Sequence, residues 1–353
     1  MDNYKLHVGR LKPGPLNSIT DVAGIQVGHC TLSKGSIQTG VTVVLPPSPN
    51  LFQFKIPAAV SVINGFGKSV GLIQIEELGQ LETPIALTNT FSVSDVAKAQ
   101  IRQTLVHNPE CGRSLSTVNP LVLECNDGYL NDLHAFAINE THYIAAIKDA
   151  QVVFEQGAVG AGRGMTSFGV KGGIGSASRI ITIDNTKYTV GSLVLANFGR
   201  SSQLLFRGNW IGKELEKAIE RNKTTHELDQ NEKGSIIIII ATDAPLESRQ
   251  LKRLSKRSSA GLARTGSVYG HGSGDIAIAF STAYTQTIDA QNQQSVPSFL
   301  HETVLDPLFE AVVESVEHAI LNALWHATTV TGRDGHERIA LRDVDLNWES
   351  ILR

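Results

Sequence analysis

Five consecutive isoleucines, Ile236 to Ile240, constrain this chain more than any other feature. A strand with one wet face alternates apolar and polar residues, whereas an unbroken β-branched run reads as a strand buried on both faces. Immediately before the run stands Gly234-Ser235, and before that the polar, charge-rich segment Glu220 to Lys233 (ERNKTTHELDQNEK). A small nucleophilic residue therefore sits at the mouth of a buried strand, behind a segment that reads as an exposed and mobile loop. That is a place where a chain can cut itself. A cut between Gly234 and Ser235 leaves Ser235 with a free α-amino group of reference pKa about 8. Such an amine can act as the base for its own hydroxyl, the N-terminal form of an activated nucleophile.

The chain has 353 residues, room for one large domain or two ordinary ones. With 41% hydrophobic and 18% charged residues it is globular and not disordered. A net charge of −3 without a long like-charge run argues against nucleic acid or an anionic membrane as the main partner. Cys30, Cys111 and Cys125 are too few and too scattered for a disulfide framework or a zinc motif. The histidines form no HExxH and no metal-spaced pair with a cysteine, so no metal or organic cofactor is signalled. The first residues lack a signal-peptide apolar core and no run approaches a membrane span, so the expected compartment is the cytoplasm.

Hydrophobic periodicity outlines mixed elements. Short strands are expected at 25–28, 40–45, 58–63 and 121–124. Leu72, Ile73, Ile75, Leu78 and Leu81 mark an amphipathic helix, and a second runs from Val93 to Val106. Ala145–Val153 and Ile180–Leu195 read as strand pairs, with Asp184-Asn185 as the turn in the latter. Helices follow at Trp210–Arg221, at Glu247–Ala263 with Leu251, Leu254, Ser258 and Leu262 inward, and at about 307–327. The last has Asp306 as N-cap and Pro307 at the first helical position. A strand is expected at Ile276–Thr282. With no clean βαβ alternation, the pattern favours layered α+β over a doubly wound sheet.

Four stretches carry possible chemistry. Gly67-Lys68-Ser69-Val70-Gly71 is a formal GxSxG between a strand and a helix, the setting of a nucleophile elbow, but Ser69 is as readily a helix cap. Gly157 to Gly175 (GAVGAGRGMTSFGVKGGIG) lacks the dinucleotide spacing, which points to close backbone packing or a substrate-lining loop. The helix bearing Arg249, Lys252, Arg253, Lys256 and Arg257 could grip phosphates, although a solvated face is the commoner reason for such a row. Gly272-Ser273-Gly274-Asp275 precedes a strand. Residues two apart on an extended segment share a side, roughly 6.5–7 Å from each other. Ser273 and Asp275 would therefore face one site, where the acid can orient the hydroxyl as a relay.

Together, GSIIIIIATDAPLESRQLKRL from Gly234 and SGDIAIAFST from Ser273 resemble the L-aminopeptidase/D-esterase and β-aminopeptidase family, the DmpA-like self-processing peptidases. The likeness extends over almost the whole chain: ITDVAGIQVGH from Ile19, ECNDGYLND from Glu124, GAVGAGRGMTSFGVKGGIGSASR from Gly157, LANFGR from Leu195 and TVTGRDGH from Thr329. The resemblance implies a single-domain α+β fold over 1–353, a four-layer αββα sandwich similar to ornithine acetyltransferase. It also implies self-cleavage into 1–234 and 235–353 and a homotetramer of two-chain protomers.

Residue by residue, Ser235 matches the nucleophile, and Ser273 with Asp275 its hydrogen-bonding partners. Asn197 and Tyr129 match donors that polarise the substrate carbonyl as an oxyanion hole. Glu124 is the candidate grip for the substrate's free amino group, with Asp127 three residues away as the other possibility. The implied substrates are small peptides or amino-acid amides and esters with a free amino terminus, and no cofactor is needed. Two alternatives stay open: an unprocessed serine hydrolase using Ser69, and an acyltransferase relative of the same fold.

Overall fold

The computed structural model describes residues 6–222, 234–291 and 295–352. Most of the polar segment before Gly234, residues 223–233, lies outside the described residues. In chain order the principal elements are β1 (Gln26–Lys34), β2 (Ile37–Leu45), β3 (Phe54–Gly65), α1 (Leu72–Leu78), β4 (Ile85–Asn89), α2 (Val93–His107), β5 (Leu121–Cys125) and α3 (Glu140–Lys148). Then follow β6 (Gly173–Ile183), β7 (Thr186–Asn197), α4 (Gly212–Asn222), β8 (Ser235–Thr242), α5 (Ser248–Ala263), β9 (Gly274–Ser281) and α6 (Asp306–Trp325).

One sheet has the order β1-β2-β4-β5; the other runs β3-β9-β8-β7-β6 through its centre. The isoleucine run explains how they stack. Ile237 and Ile239 point into a core shared with Leu87 and Leu123 of the first sheet. Ile236, Ile238 and Ile240 point the other way, against Leu254 of α5 and Val316 and Ile320 of α6. A third core packs Val41, Val43 and Val122 on the far face of the first sheet against Val96 of α2 and Ala146 of α3. The layers are therefore α, β, β, α. Strand β8 is central, hydrogen-bonded on both edges and covered on both faces, which leaves no wet position for a polar residue between 236 and 241. Fully burying one such side chain contributes about 1.5–3 kcal/mol.

Local chemistry accounts for several boundaries. Asp184 and Asn185 both take left-handed conformations, φ 46° and 64°, and join β6 to β7 in the primed turn that matches strand twist. Leu251, Leu254, Ser258 and Leu262 are all buried along α5, as its periodicity requires. Three expectations need correction. The segment Leu72–Leu81 is not one amphipathic helix: α1 stops at a left-handed Gly79, Leu81 enters a short strand, and of the helix only Ile75 is buried while Ile73 and Leu78 are exposed. Ala145–Val153 is not a strand pair but the end of α3 and the loop after it, because Asn139 caps a helix that buries Tyr143 and Ala146. Asp306 is the first residue of α6 rather than its cap, with Pro307 in the first turn. Among the described residues no helix is long and apolar enough to cross a membrane.

Candidate active site

Strand directions gather the site. Strand β8 runs parallel to β9 and antiparallel to β7, and β9 runs antiparallel to β3. The starts of β8 and β9 therefore meet the ends of β7 and β3 at one edge of the sheet. Asn197 pairs with Ser235, Ile236 with Asp275, and Gly274 with Gly65. Directly opposed residues project from the same face, so Ser235 and Asn197 share the side that faces the first sheet, one step beyond Ile237 and Leu195.

Ser235 is buried, and its Oγ accepts a hydrogen bond from the Gly274 N–H at 3.1 Å. Glycine is required on both sides of it. A Cβ on Gly274 would lie 2.4 Å from the Phe66 carbonyl oxygen and 3.2 Å from Ser235 Oγ; one on Gly234 would lie 2.2 Å from the Asn197 carbonyl oxygen. Ser273 Oγ donates to Asp275 Oδ1 at 2.5 Å, and both residues are buried. Asp275 is level with Ile236, so alternation sets this pair on the helix-covered face, across the strand from the Ser235 hydroxyl.

Asn197 is fixed at both ends of its amide. Its Oδ1 accepts from the Thr166 N–H at 2.8 Å, and its Nδ2 donates to the Asn126 carbonyl at 3.0 Å. The Thr166 bond comes from the glycine-rich stretch, whose glycines let backbones meet: a Cβ on Gly173 would strike the Gly157 carbonyl oxygen at 2.0 Å and one on Gly172 that of Ala196 at 2.3 Å. The expectation of close packing holds there. Inside this loop Lys171 is fully buried, and its Nζ donates to the carbonyls of Met165, Gly162 and Gly172 at 2.7, 2.8 and 2.9 Å. Burial pushes its pKa below the ordinary lysine value, with Arg163 adding to the effect, while three carbonyl oxygens take the three N–H groups of an ammonium.

The two acidic candidates part company. Glu124 is buried at the end of β5; its Oε1 accepts from the Lys68 N–H at 2.9 Å and its Oε2 accepts from the Thr90 hydroxyl. A Cβ on Gly67 would lie 3.6 Å from both Glu124 Oε1 and Ile276 Cδ1, and the next residue back, Phe66, donates its N–H to the Ser273 carbonyl at 3.2 Å. Glu124 thus borders the loop that touches the Ser273–Gly274 turn. Asp127 instead closes its own turn. Its Oδ1 accepts from Asn131 Nδ2 at 3.0 Å and its backbone carbonyl accepts from the N–H groups of Leu130 and Asn131. Burial pushes the Asp127 carboxyl up to about 7, against the hydrogen bonds from Thr39 and Asn131.

Tyr129 stands three residues beyond Asn126, whose carbonyl accepts from Asn197. Its ring stacks on His336 at 4.6 Å between centroids, and the Arg338 guanidinium sits 3.5 Å from the ring centre. The segment 332–338 grips this turn, with Arg333 Nε donating to the Gly128 carbonyl at 2.7 Å and the Arg333 N–H to that of Leu130 at 2.8 Å. Ser69 is neither an elbow nor a cap: α1 begins after Gly71, and the Ser69 hydroxyl is buried with no hydrogen-bond partner among the described residues. The α5 cations are largely neutralised locally. Arg249 pairs with Glu247 and Glu302, Lys252 with Glu76 and Arg253 with Glu302, while Arg257 lies over the Phe309 ring. Among the described residues no group of three or more His, Cys, Asp or Glu is placed to hold a metal ion.

Sequence reasoning missed Thr166, Lys171 and Phe66. The first two belong to GRGMTSFGVKGG, where a lone lysine among glycines was the available signal.

The comparisons with known proteins concern the family and the fold. The family described as peptidase family S58 matches residues 17–338. A β-peptidyl aminopeptidase BapA of Sphingosinicella microcystinivorans is 37% identical over 92% of this chain and 85% of its own. Among solved structures, the PH0078 protein from Pyrococcus horikoshii OT3 superposes with a TM-score of 0.88 at 48% identity, covering 95% of this chain and 94% of that one. The L-aminopeptidase D-Ala-esterase/amidase of Ochrobactrum anthropi, described as a prototype for the serine aminopeptidases and a variant of the Ntn hydrolase fold, superposes with a TM-score of 0.87 at 31% identity, covering 95% and 94%. The chain belongs to peptidase family S58 and is a hydrolase with that fold.

Proposed function

We propose that the chain is a self-processing N-terminal-serine aminopeptidase that removes the first residue of small peptides, or hydrolyses amino-acid amides and esters, through an acyl-enzyme on Ser235. The observation that carries this reading is the position of Ser235 at the mouth of β8, its Oγ held by the Gly274 N–H and its side chain level with Asn197. In the first stage Ser235 Oγ attacks the Gly234 carbonyl, the peptide bond becomes an ester, and water hydrolyses it to a Gly234 carboxylate and a free Ser235 amine. The products are 1–234 and 235–353, held together by the β7–β8 and β3–β9 ladders.

In the second stage the freed amine takes the Ser235 hydroxyl proton as Oγ attacks the substrate carbonyl. The Ser273–Asp275 pair, on the opposite face from the hydroxyl, is suited to holding that amine rather than Oγ itself. Asn197 uses one Nδ2 hydrogen on Asn126 and has a second for the developing oxyanion, with Tyr129 as the other candidate donor. The leaving amine departs with the proton, and water releases the acyl group. Glu124 supplies the negative charge that an exopeptidase needs for the substrate's ammonium group. Assembly as a cytoplasmic tetramer of two-chain protomers is part of the proposal.

Labelling with a fluorophosphonate followed by peptide mapping tests the assignment. The adduct is expected on Ser235. An adduct on Ser69, or labelling unchanged in Ser235→Ala, would refute it. Running turnover with an added amine acceptor separates hydrolysis, expected to release the free amino acid, from acyl transfer.

A further inference from the structure

The buried Lys171 is connected to Asn197 through a single peptide unit. Lys171 Nζ donates to the Met165 carbonyl oxygen at 2.7 Å, and the N–H at the other end of that amide, on Thr166, donates to Asn197 Oδ1 at 2.8 Å. The same carbonyl also accepts the Gly172 N–H at 3.0 Å, which closes the loop around the lysine. Every bond in the series runs in one direction: ammonium to carbonyl, amide N–H to carboxamide oxygen, and carboxamide N–H to the Asn126 carbonyl, with the second Nδ2 hydrogen left over for a ligand. Hydrogen bonds in such a series polarise one another, most strongly where water is excluded, and Lys171 is fully buried.

We infer that Lys171 is a positioning residue of the oxyanion hole, orienting and polarising the Asn197 amide through the Met165–Thr166 peptide so that Nδ2 becomes a stronger donor to the tetrahedral intermediate. The inference rests on the proposed role of Asn197. Two features of the structure favour it over a purely structural clamp. Of the three carbonyls that Lys171 reaches, the one at the shortest distance, that of Met165, belongs to the amide that ends on Asn197. The Thr166 bond also engages Oδ1, so the end of the amide with a hydrogen to spare is Nδ2. A hole with an oxygen in that place would repel the oxyanion.

The test compares the parent enzyme with Lys171→Gln, Asn197→Ala and the double variant, using an amino-acid p-nitroanilide, an aminoalkyl boronic acid and the corresponding boron-free amine. The boronic acid forms a tetrahedral anion on the nucleophile and reports the oxyanion hole; the amine reports the rest of the site. Lys171→Gln should lower kcat by about 10–100-fold, below or near the cost of deleting a whole oxyanion donor. It should weaken the boronic acid by a similar factor and leave KM and amine inhibition within about twofold. On an Asn197→Ala background it should add little. Equal weakening of boronic acid and amine, a full additional loss in the double variant, or an unchanged kcat in a folded Lys171→Gln enzyme would each overturn the inference. Asn197→Ala with full kcat and unchanged boronic acid affinity would instead remove the premise about Asn197. If Lys171→Gln does not fold, replacing the Met165–Thr166 amide by an ester removes the N–H of the series and weakens the Met165 carbonyl as an acceptor; a retained kcat and boronic acid affinity in that protein would overturn the inference equally.

Discussion

Asn197 stands directly across the antiparallel ladder from Ser235, so a carboxamide and a hydroxyl occupy adjacent places on the same face of the central sheet. Neither is aimed by a flexible loop. Asn197 is the last residue of its strand and Ser235 the first of the next strand over. The geometry is set by backbone hydrogen bonds, and a site built on strand ends is held more firmly than one built on loops.

The Gly274 N–H that reaches Ser235 Oγ depends on the absence of a side chain. Gly274→Ala places a methyl 2.4 Å from the Phe66 carbonyl oxygen and 3.2 Å from Ser235 Oγ. The expected result is a folded protein destabilised by roughly 1–3 kcal/mol, with turnover reduced on the order of 100-fold because the proposed nucleophile is displaced. Thermal melts and steady-state kinetics on one preparation check both.

Asp275 is expected to act through Ser273 and the new terminus. Asp275→Asn keeps the shape and an acceptor for the Ser273 hydroxyl but removes the charge. Turnover should fall by roughly 10²–10⁴-fold if the acid supports proton transfer. A correctly folded variant near full rate would make Asp275 merely structural.

Glu124→Gln separates substrate binding from loop anchoring. The variant amide can still accept from the Lys68 N–H through its oxygen and donate to Thr90 through its nitrogen, so the loop beside Gly67 should survive. Losing a charge-assisted contact to an ammonium group costs about 1.5–3 kcal/mol, so KM should rise about 10–100-fold. A lowered melting temperature with unchanged KM would restrict Glu124 to anchoring.

Asp127 should make stability depend on pH. Its folded value of about 7 lies above the ordinary 3.8, so the folded state holds the proton more tightly. The stability this contributes is fully present below pH 3.8 and is lost as pH rises toward about 7, with a slope of up to ~1.4 kcal/mol per unit. Lys171, whose positive charge favours the ionised form, moderates the effect. Urea melts at several pH values should show that Asp127→Asn flattens this slope. Equal slopes in the two proteins would contradict it.

Much of this site was legible where residue type and backbone geometry say the same thing. The isoleucine run reads as a doubly covered strand, GSGD as a glycine-flanked approach to a strand, and Asp184-Asn185 as a hairpin turn, and the structure has each of them. The acids were legible as a pair but not as individuals, because a three-residue spacing does not reveal that Asp127 folds back on Asn131 while Glu124 reaches the Lys68 N–H. Leu72–Leu81 misled because Gly79 ends the helix in a left-handed conformation and Ile73 and Leu78 are left outside. The connection from Lys171 to Asn197 was illegible for a different reason. It passes through a main-chain amide, and the sequence is silent on which carbonyl a buried ammonium will find.

The central claim is that Ser235 is both the product of a cut and the nucleophile. Intact-mass spectrometry of the purified wild-type protein and of Ser235→Ala tests it most directly. The account predicts that the wild type appears as two chains divided between Gly234 and Ser235, and that Ser235→Ala remains whole and inactive. A wild-type chain that stays whole while hydrolysing amino-acid amides, or a Ser235→Ala protein that still appears as two chains, would contradict it.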